Sequence, residues 1–148
     1  MSPALAFRPA LDADVAFCES LGRSNMASYH STRGVAWDPG RFIANWGLFE
    51  NFMILADEQV AGFLRLLAVD GALEIRDLQL LPSHRNQGIG SWAITQAMSE
   101  AAARGIGVLR LRVFVENPAM RLYARLGFKV DAIDDGKVHM SYALAPAG

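Results

Sequence analysis

Residues 80–90 read Leu80-Leu81-Pro82-Ser83-His84-Arg85-Asn86-Gln87-Gly88-Ile89-Gly90. They follow a run of alternating apolar and polar residues and precede apolar residues with helical spacing, so they predict a loop between a strand and a helix. The first turn of a helix leaves N–H groups unpaired and carries a partial positive charge. Gly88 and Gly90 would let a ligand approach the backbone, and Arg85 would add a charged contact. The segment therefore indicates a phosphate or pyrophosphate site, with a plain glycine-rich turn as the alternative.

The period of the apolar residues divides the rest of the chain into strands and helices. Strands are predicted at Ala4–Arg8, Asn51–Ala56, Val60–Val69, Leu73–Leu81, Val108–Val115, Phe128–Ile133 and Val138–Leu144. Asp70-Gly71 predicts a hairpin turn between the third and fourth of these strands. Helices are predicted from Asp12, as the cap, to about Tyr29, from about Ile89 to Gly105 and over Asn117–Leu126, with a loop at His30–Trp37. A further short helix is predicted from Asp38, as the cap, with Pro39 at its first position. A strand–helix–strand crossover among hairpins predicts an α/β fold with a mixed sheet, in the order β-α-α-β-β-β-α-β-α-β-β.

The composition is that of one globular domain over residues 1–148, because 52% of the residues are hydrophobic and 20% are charged. The net charge of −1 predicts neither nucleic-acid binding nor attachment to an anionic membrane. The single cysteine, Cys18, excludes an intramolecular disulfide and is interpreted as a core thiol; the three histidines lack metal-ligand spacing, so no metal is predicted. No apolar run reaches the ~18 residues of a membrane span and no leader is evident, so we expect a cytoplasmic protein.

A dinucleotide-binding fingerprint is a rival interpretation, because residues 88–93 match Gly-x-Gly-x-x-Ala. In that fingerprint the first glycine makes the turn directly after a strand, whereas Pro82–Gln87 separates the strand from Gly88 here. The acidic residue expected ~20 positions later should end the next strand, but Glu116 lies 28 positions past Gly88. The context therefore disfavours a dinucleotide site.

A second motif reads Glu116-Asn117-Pro118-Ala119-Met120-Arg121-Leu122-Tyr123-Ala124-Arg125-Leu126-Gly127-Phe128. Together with residues 80–90 it resembles the paired motifs of the GNAT superfamily, the acetyl-CoA-dependent N-acyltransferases. The resemblance covers the whole chain, since the element order is also that of the family. It implies a GNAT-like fold with splayed central parallel strands, and transfer of acetyl from acetyl-CoA to a primary amine by direct attack in a ternary complex.

The resemblance also implies a binding mode for acetyl-CoA. Backbone groups of Leu78 and Leu80 would bond the pantetheine arm. The amides that would hold the pyrophosphate belong to Arg85, Asn86, Gln87, Gly88, Ile89 and Gly90. Asn117 would touch the cofactor, but it lies six residues before Tyr123 where the family usually has seven, and capping the next helix is its alternative role.

The resemblance assigns Tyr123 as the acid that protonates the departing thiolate. Elementary chemistry agrees, because a tyrosine with a pKa of ~10 is protonated at neutral pH and can donate to sulfur as charge develops there. A half-buried core aromatic is the structural alternative for this residue.

An alkyl amine with a pKa near ~10 must lose a proton before it attacks, so a base is needed. The resemblance implies Glu74, working through water, with an ion pair to Arg65 or Arg76 as its structural alternative. Asp77 is a second candidate base, and His84 a third with a suitable pKa range. Tyr29, Trp37 and Asp77 are predicted to contact the acceptor.

The resemblance implies that the segment from the first helix to the second forms one wall of the acceptor cleft. Residues 23–46 carry a charge of +2 and several aromatics there. Packing of Trp37, Phe42 and Trp46 on the sheet is the alternative. The acceptor is a small-molecule or protein amine that the sequence does not identify. A non-catalytic acyl-CoA-binding or sensing module is the alternative function, and a homodimer through Val138–Leu144 as an edge strand is a further hypothesis.

Overall fold

A computed structural model describes residues 2–144 of the chain. Two compact units are distinguished. The first contains the chain up to Arg65 together with Asp77–Ile89, and the second contains Leu66–Arg76 and the chain from Gly90 onward. The single-domain hypothesis stays a prediction. Among residues 2–144, no helix is long and apolar enough to cross a membrane.

The elements occur in the predicted order. The strands are β1 Leu5–Pro9, β2 Glu50–Ala56, β3 Gln59–Val69, β4 Ala72–Leu80, β5 Val108–Phe114, β6 Lys129–Asp134 and β7 Lys137–Ala143. The α-helices are α1 Val15–Arg33, α2 Pro39–Asn45, α3 Ile89–Ala103 and α4 Ala119–Arg125. Short 3-10 turns lie at Asp12–Asp14, Trp46–Leu48 and Pro82–His84. The predicted fold class, a mixed α/β sheet with helices, is confirmed.

Helix α1 differs from its prediction at both ends. Asp12 was predicted as its cap but begins a 3-10 turn, and Asp14 instead accepts the N–H of Leu11 and a bond from Arg8. The helix then continues through His30–Arg33, which was predicted as loop. It stops at Gly34, whose φ of 68° is left-handed, with the N–H of Val35 bonded to the carbonyl of His30. The structure thus corrects the predicted loop because a glycine cap lies four residues further on.

Two-residue turns with left-handed backbone join successive strands. Asp57 and Glu58 connect β2 to β3 with φ values of 50° and 69°. Asp70-Gly71 connects β3 to β4 in the same conformation, as the sequence predicted. Such turns match the right-handed twist of the strands that they join.

The sheet has the strand order β1-β2-β3-β4-β5-β7-β6. The central strands β4 and β5 are parallel, but their ladder has only three pairs, from Leu73–Leu109 to Ile75–Leu111. A ladder this short is the pattern that the predicted splay requires. Strand β7 pairs with both β5 and β6, so the prediction of Val138–Leu144 as an edge is wrong, and β6 is the edge strand instead.

The first unit has a hydrophobic cluster beneath helices α1 and α2. Its buried members are Cys18, Leu21, Phe42, Met53 and Phe63. The thiol of Cys18 lies 3.7 Å from the sulfur of Met53, and burial raises the pKa of Cys18 to about 12, which makes it a core thiol as predicted. In the second unit the buried apolar side chains include Leu73, Ala97, Leu109, Val138 and Met140.

Gly62 lies in β3 where only a hydrogen fits. A Cβ built on it would collide with the backbone carbonyl oxygen of Gln79 and would come within 2.9 Å of Leu80 Cδ2. A glycine inside a strand commonly marks such a close approach of a second backbone. Gly62 therefore fixes where the last residues of β4 run, just before the loop at residues 81–88.

We expect Gly62→Ala to lower the free energy of unfolding by about 1–3 kcal/mol, because the collision is with backbone rather than with a movable side-chain tip. Urea denaturation followed by tryptophan fluorescence measures it. Gly107→Ala is the matched control, since a Cβ there meets no atom within 4 Å, and its effect should stay within about 0.5 kcal/mol. Equal effects of the two substitutions would contradict the close-approach argument.

Candidate active site

The loop between β4 and α3 has the backbone of an anion-binding turn. Pro82–His84 forms a 3-10 turn, and Asn86 and Gly88 then take left-handed φ values of 60° and 78°. Left-handed residues in such a turn direct successive N–H groups to one side, which creates a concavity suited to an anion. The helix that begins at Ile89 adds the unpaired N–H groups of its first turn. The local structure is therefore compatible with the predicted pyrophosphate site.

A side chain that the sequence analysis missed holds this segment. Asn25, on helix α1, donates through Nδ2 to the carbonyl of Leu80 at 3.0 Å and to Gln79 Oε1 at 3.1 Å. Its Oδ1 accepts from Arg85 Nη2 at 2.6 Å. The only local signal was an asparagine inside a helix, where its propensity is low and its side chain usually needs another role.

The contacts of Asn25 continue to one of the predicted substrate residues. Gln79, which accepts from Asn25, donates through Nε2 to Asp77 Oδ1 at 2.8 Å. Asp77, Gln79, Asn25 and Arg85 thus form one chain of hydrogen bonds within the first unit. These hydrogen bonds connect the carboxylate of Asp77, a candidate acceptor contact, with the guanidinium of Arg85, a candidate phosphate contact.

Two predicted cofactor contacts have protein partners in this arrangement. The guanidinium of Arg85 lies against Asn25, and its backbone N–H makes only a long 3.4 Å contact with the carbonyl of Pro82. The carbonyl of Leu80 accepts a hydrogen bond from Asn25. Their cofactor roles, like that of Leu78, stay predictions.

Glu74 forms the ion pairs that were its structural alternative. Its Oε1 accepts from Arg76 Nη1 at 3.0 Å, as one alternative predicted, and its Oε2 accepts from Arg110 Nε at 2.6 Å. Arg65, the other predicted partner, donates to Asn51 instead and stacks on the ring of Phe42. Arg110 was missed because it lies on β5, opposite Glu74 in the parallel ladder.

The two arginines set the proton affinity of Glu74. Burial alone would raise the pKa of its carboxyl, but the hydrogen bonds from Arg76 and Arg110 outweigh burial and hold the pKa below the ordinary value of 4.5. The carboxylate is therefore ionised at neutral pH and is a weak base.

Tyr123 lies at the end of helix α4, in a Schellman cap. The N–H of Phe128 bonds to the carbonyl of Tyr123 at 3.0 Å, and the N–H of Gly127 bonds to that of Ala124 at 3.1 Å. Gly127 supplies the left-handed residue, with a φ of 103°. The rings of Phe128 and Tyr123 are 6.0 Å apart, which is the apolar contact that usually accompanies this cap. The cap thus fixes the backbone and one ring neighbour of Tyr123, which is buried.

Asn117 caps the start of the same helix. Its Oδ1 accepts the N–H of Ala119 at 2.9 Å, so the capping role is confirmed. A cofactor contact by Asn117 stays a prediction. The remaining cofactor-binding candidates, Gln87 and Gly90, lie at the end of the loop and in the first turn of α3.

The predicted acceptor residues have different surroundings. Trp37 packs against the hydrophobic cluster of the first unit, 5.8 Å from the ring of Phe42, and its Nε1 donates to Glu19 at 2.9 Å. This is the packing alternative, and a substrate contact by Trp37 stays a prediction. Tyr29 is half-buried on α1, and His84 lies beside Ser83, 3.1 Å from its hydroxyl. No cluster of three or more metal-ligating side chains occurs in the part of the chain that the structure describes.

Solved structures share this architecture. The chain superposes on the PaiA N-acetyltransferase of Thermoplasma acidophilum, solved with coenzyme A, with a TM-score of 0.77 at 18% identity, covering 95% of this chain and 99% of that one. It also superposes on the ribosomal-protein-S18-alanine N-acetyltransferase of Escherichia coli with a TM-score of 0.76 at 21% identity, covering 98% and 97%. The fold is therefore that of the N-acetyltransferases, as the resemblance implied.

The family follows from the sequence match. The model of the Acetyltransferase (GNAT) family matches residues 18–128, and the chain belongs to that family. Streptothricin acetyltransferase of Streptomyces lavendulae is 38% identical over 82 residues, and mycothiol acetyltransferase of Clavibacter michiganensis is 35% identical over 80 residues. Each match covers 53% of this chain, but only 43% and 26% of the relatives' own lengths.

We expect Glu74→Gln to cost roughly 1 kcal/mol of folding free energy at neutral pH, because it removes the charge held by two arginines. A carboxyl group whose pKa is lower in the folded state than in the unfolded state stabilises the fold at any pH above the unfolded-state pKa. That stabilisation is lost as the pH falls through the folded-state pKa. The difference between wild type and variant should therefore shrink as the pH is lowered from about 5 toward 3.

Urea denaturation across that pH range measures the difference. Glu58→Gln, in an exposed turn, is the matched control and should change stability little at every pH. A Glu74→Gln penalty that is the same at acid and neutral pH would contradict the ion-pair argument.

Proposed function

We propose that this chain is an N-acetyltransferase that moves acetyl from acetyl-CoA to a primary amine by direct attack in a ternary complex. One observation carries the proposal. In a chain that belongs to the GNAT family, the loop before α3 has left-handed backbone at Asn86 and Gly88, which suits an anion such as a pyrophosphate. The backbone N–H groups of residues 85–90 would bind that group, and the guanidinium of Arg85 would add charge.

The reaction needs an acid and a base but no covalent intermediate on the protein. The amine nitrogen attacks the thioester carbon, a C–N bond forms, and the C–S bond breaks. The amine, protonated at neutral pH, gives up one proton to the base before it attacks and a second after the C–N bond forms. The departing thiolate takes one proton and the other passes to solvent, so that an amide and free coenzyme A result. Cys18 is buried with a raised pKa, which supports direct attack rather than transfer through a thiol.

We assign the acid to Tyr123. A hydroxyl that is protonated at neutral pH can donate as charge develops on sulfur. The Schellman cap supports the assignment, because it fixes the backbone of Tyr123 and brings the ring of Phe128 next to its buried ring.

We assign the base to Glu74, acting through water, with Asp77 as the second candidate. Arg76 and Arg110 keep Glu74 ionised, so it is ready to accept a proton, but they also weaken it as a base. The carboxylate of Asp77 accepts a hydrogen bond from Gln79 and lies in the series of hydrogen bonds that ends at Arg85. The two assignments predict different responses of kcat/KM to substitution.

The acceptor is a primary amine on a small molecule or on a protein. Both classes occur among the similar proteins, since one relative is named for streptothricin and one solved structure for the alanine of a ribosomal protein. Tyr29, Trp37 and Asp77 are the residues that we propose for this contact. A cytoplasmic location stays a prediction.

The first test is Tyr123→Phe, which should lower kcat by about 10–10³-fold and leave the Kd for acetyl-CoA within about twofold, because only the acidic proton is lost. Release of free thiol over a panel of amines and peptides measures turnover, and calorimetry measures binding. Tyr142→Phe removes a hydroxyl from the same unit and should keep full activity. An undiminished rate in Tyr123→Phe would remove this residue from the reaction.

The same panel separates the enzyme from the alternative function. Tight binding of acetyl-CoA with no turnover on any amine or peptide would favour the non-catalytic acyl-CoA-binding module. The weak basicity of Glu74 is the observation that favours this alternative.

The second test compares Glu74→Gln with Asp77→Asn across pH. Loss of the base should lower kcat/KM by about 10²-fold or more at neutral pH. In a variant that lacks the base, kcat/KM should then rise with pH as the amine, with a pKa near ~10, loses its proton without help from the protein. We expect this pH profile for Glu74→Gln. Asp77→Asn removes a proposed acceptor contact and should lower kcat/KM by the same factor at every pH. The reverse result would move the base to Asp77, and thermal melts of both variants control for folding.

A further inference from the structure

Strand β6 has two apolar side chains on the same side of the edge of the sheet. Val130 and Ile133 are 52% and 67% exposed, although they pair with Met140 and Val138, whose side chains are buried on that face of β7. Residues three apart on a regular strand point to opposite faces. Here a bulge at residue 131 shifts the register, so both apolar side chains lie on the Val138–Met140 face.

The other residues of β6 point to the opposite face. Lys129, Ala132 and Asp134 pair with Ser141, His139 and Lys137 of β7. Counted without the bulge residue, β6 reads Lys-Val-Ala-Ile-Asp, with polar and apolar positions alternating about Ala132. This pattern is self-complementary, because reversing it places Lys against Asp and Val against Ile.

We propose that β6 pairs antiparallel with β6 of a second copy of this chain, about a twofold axis at Ala132. In that register Lys129 of each copy faces Asp134 of the other, and Val130 faces Ile133. Each opposed pair lies on one face of the combined sheet, as an antiparallel ladder demands. Without the bulge, Lys129 and Asp134 would lie on opposite faces and the register would be impossible. The bulge thus gives the edge its self-complementarity.

The charges select this partner over others. An edge strand offers unpaired N–H and C=O groups to any extended chain, but the opposite charges at its two ends favour an antiparallel copy of itself. The contact is small for a stable interface, so the dimer should dissociate on dilution. It does not depend on the proposed acetyl transfer.

The test is a charge exchange across the axis. Wild type should run as a concentration-dependent dimer in sedimentation velocity. Lys129→Asp and Asp134→Lys each place like charges opposite each other twice, and each should raise the dimer dissociation constant by about tenfold or more. The double variant with both substitutions should dimerise like wild type. An equimolar mixture of the two single variants should form a heterodimer, since its opposed charges again attract.

Arg121→Asp, an exposed charge reversal on α4, is the control and should leave the dissociation constant unchanged. Far-ultraviolet circular dichroism confirms that each variant is folded. A wild-type monomer at every concentration would overturn the proposal and show that the bulge blunts the edge instead. Single variants that dimerise as tightly as wild type would also overturn it, because the interface would then lie elsewhere.

Discussion

The backbone at the end of β4 is the constraint on which the first unit depends. The carbonyl of Gln79 approaches Gly62 so closely that no side chain fits there. Asn25 then holds the next carbonyl, that of Leu80, with one hydrogen of its amide and the side chain of Gln79 with the other. The strand end, and with it the entry to the loop, is therefore fixed from two sides by a missing Cβ and a side-chain amide. Such pre-organisation is what a backbone-based anion site requires, since its N–H groups cannot reorient individually.

In the second unit the corresponding constraint is the end of α4. Gly127 and Phe128 complete a Schellman cap whose third residue from the helix end is Tyr123. The motif at residues 116–128, which resembles that of the GNAT family, therefore has a structural role. Its glycine permits the left-handed cap, and its aromatic packs on the tyrosine ring. The same residues that signal the family in the sequence position the proposed acid in the structure.

Glu74 illustrates how the contacts that stabilise a residue can oppose the catalytic role proposed for it. Two guanidinium groups stabilise its charge, and the same groups reduce its affinity for the proton that a base must take. The hydrogen-bond chain from Asp77 to Arg85 lies in the other unit and contains a second carboxylate.

Local features of the fold followed from the sequence alone. The cap at Asp38, the turn at Asp70-Gly71 and the cap at Asn117 were all predicted, because each depends on residues within four positions of one another. The end of α1 was missed only because its glycine cap lies beyond the point where the apolar stripe fades. The family itself was also readable, since its motifs are contiguous.

The tertiary structure decided which distant residues meet. Asn25 contacts Gln79 and Arg85 across 54 and 60 positions, and Arg110 contacts Glu74 across 36. It also decided that β7 is internal and that β6 is the edge, because strand order depends on pairing energies summed over the whole sheet. Sequence patterns report local backbone preference and the burial of one face. They carry no record of which partner a polar side chain finds after folding, and that choice sets the charge, rigidity and exposure of the candidate site.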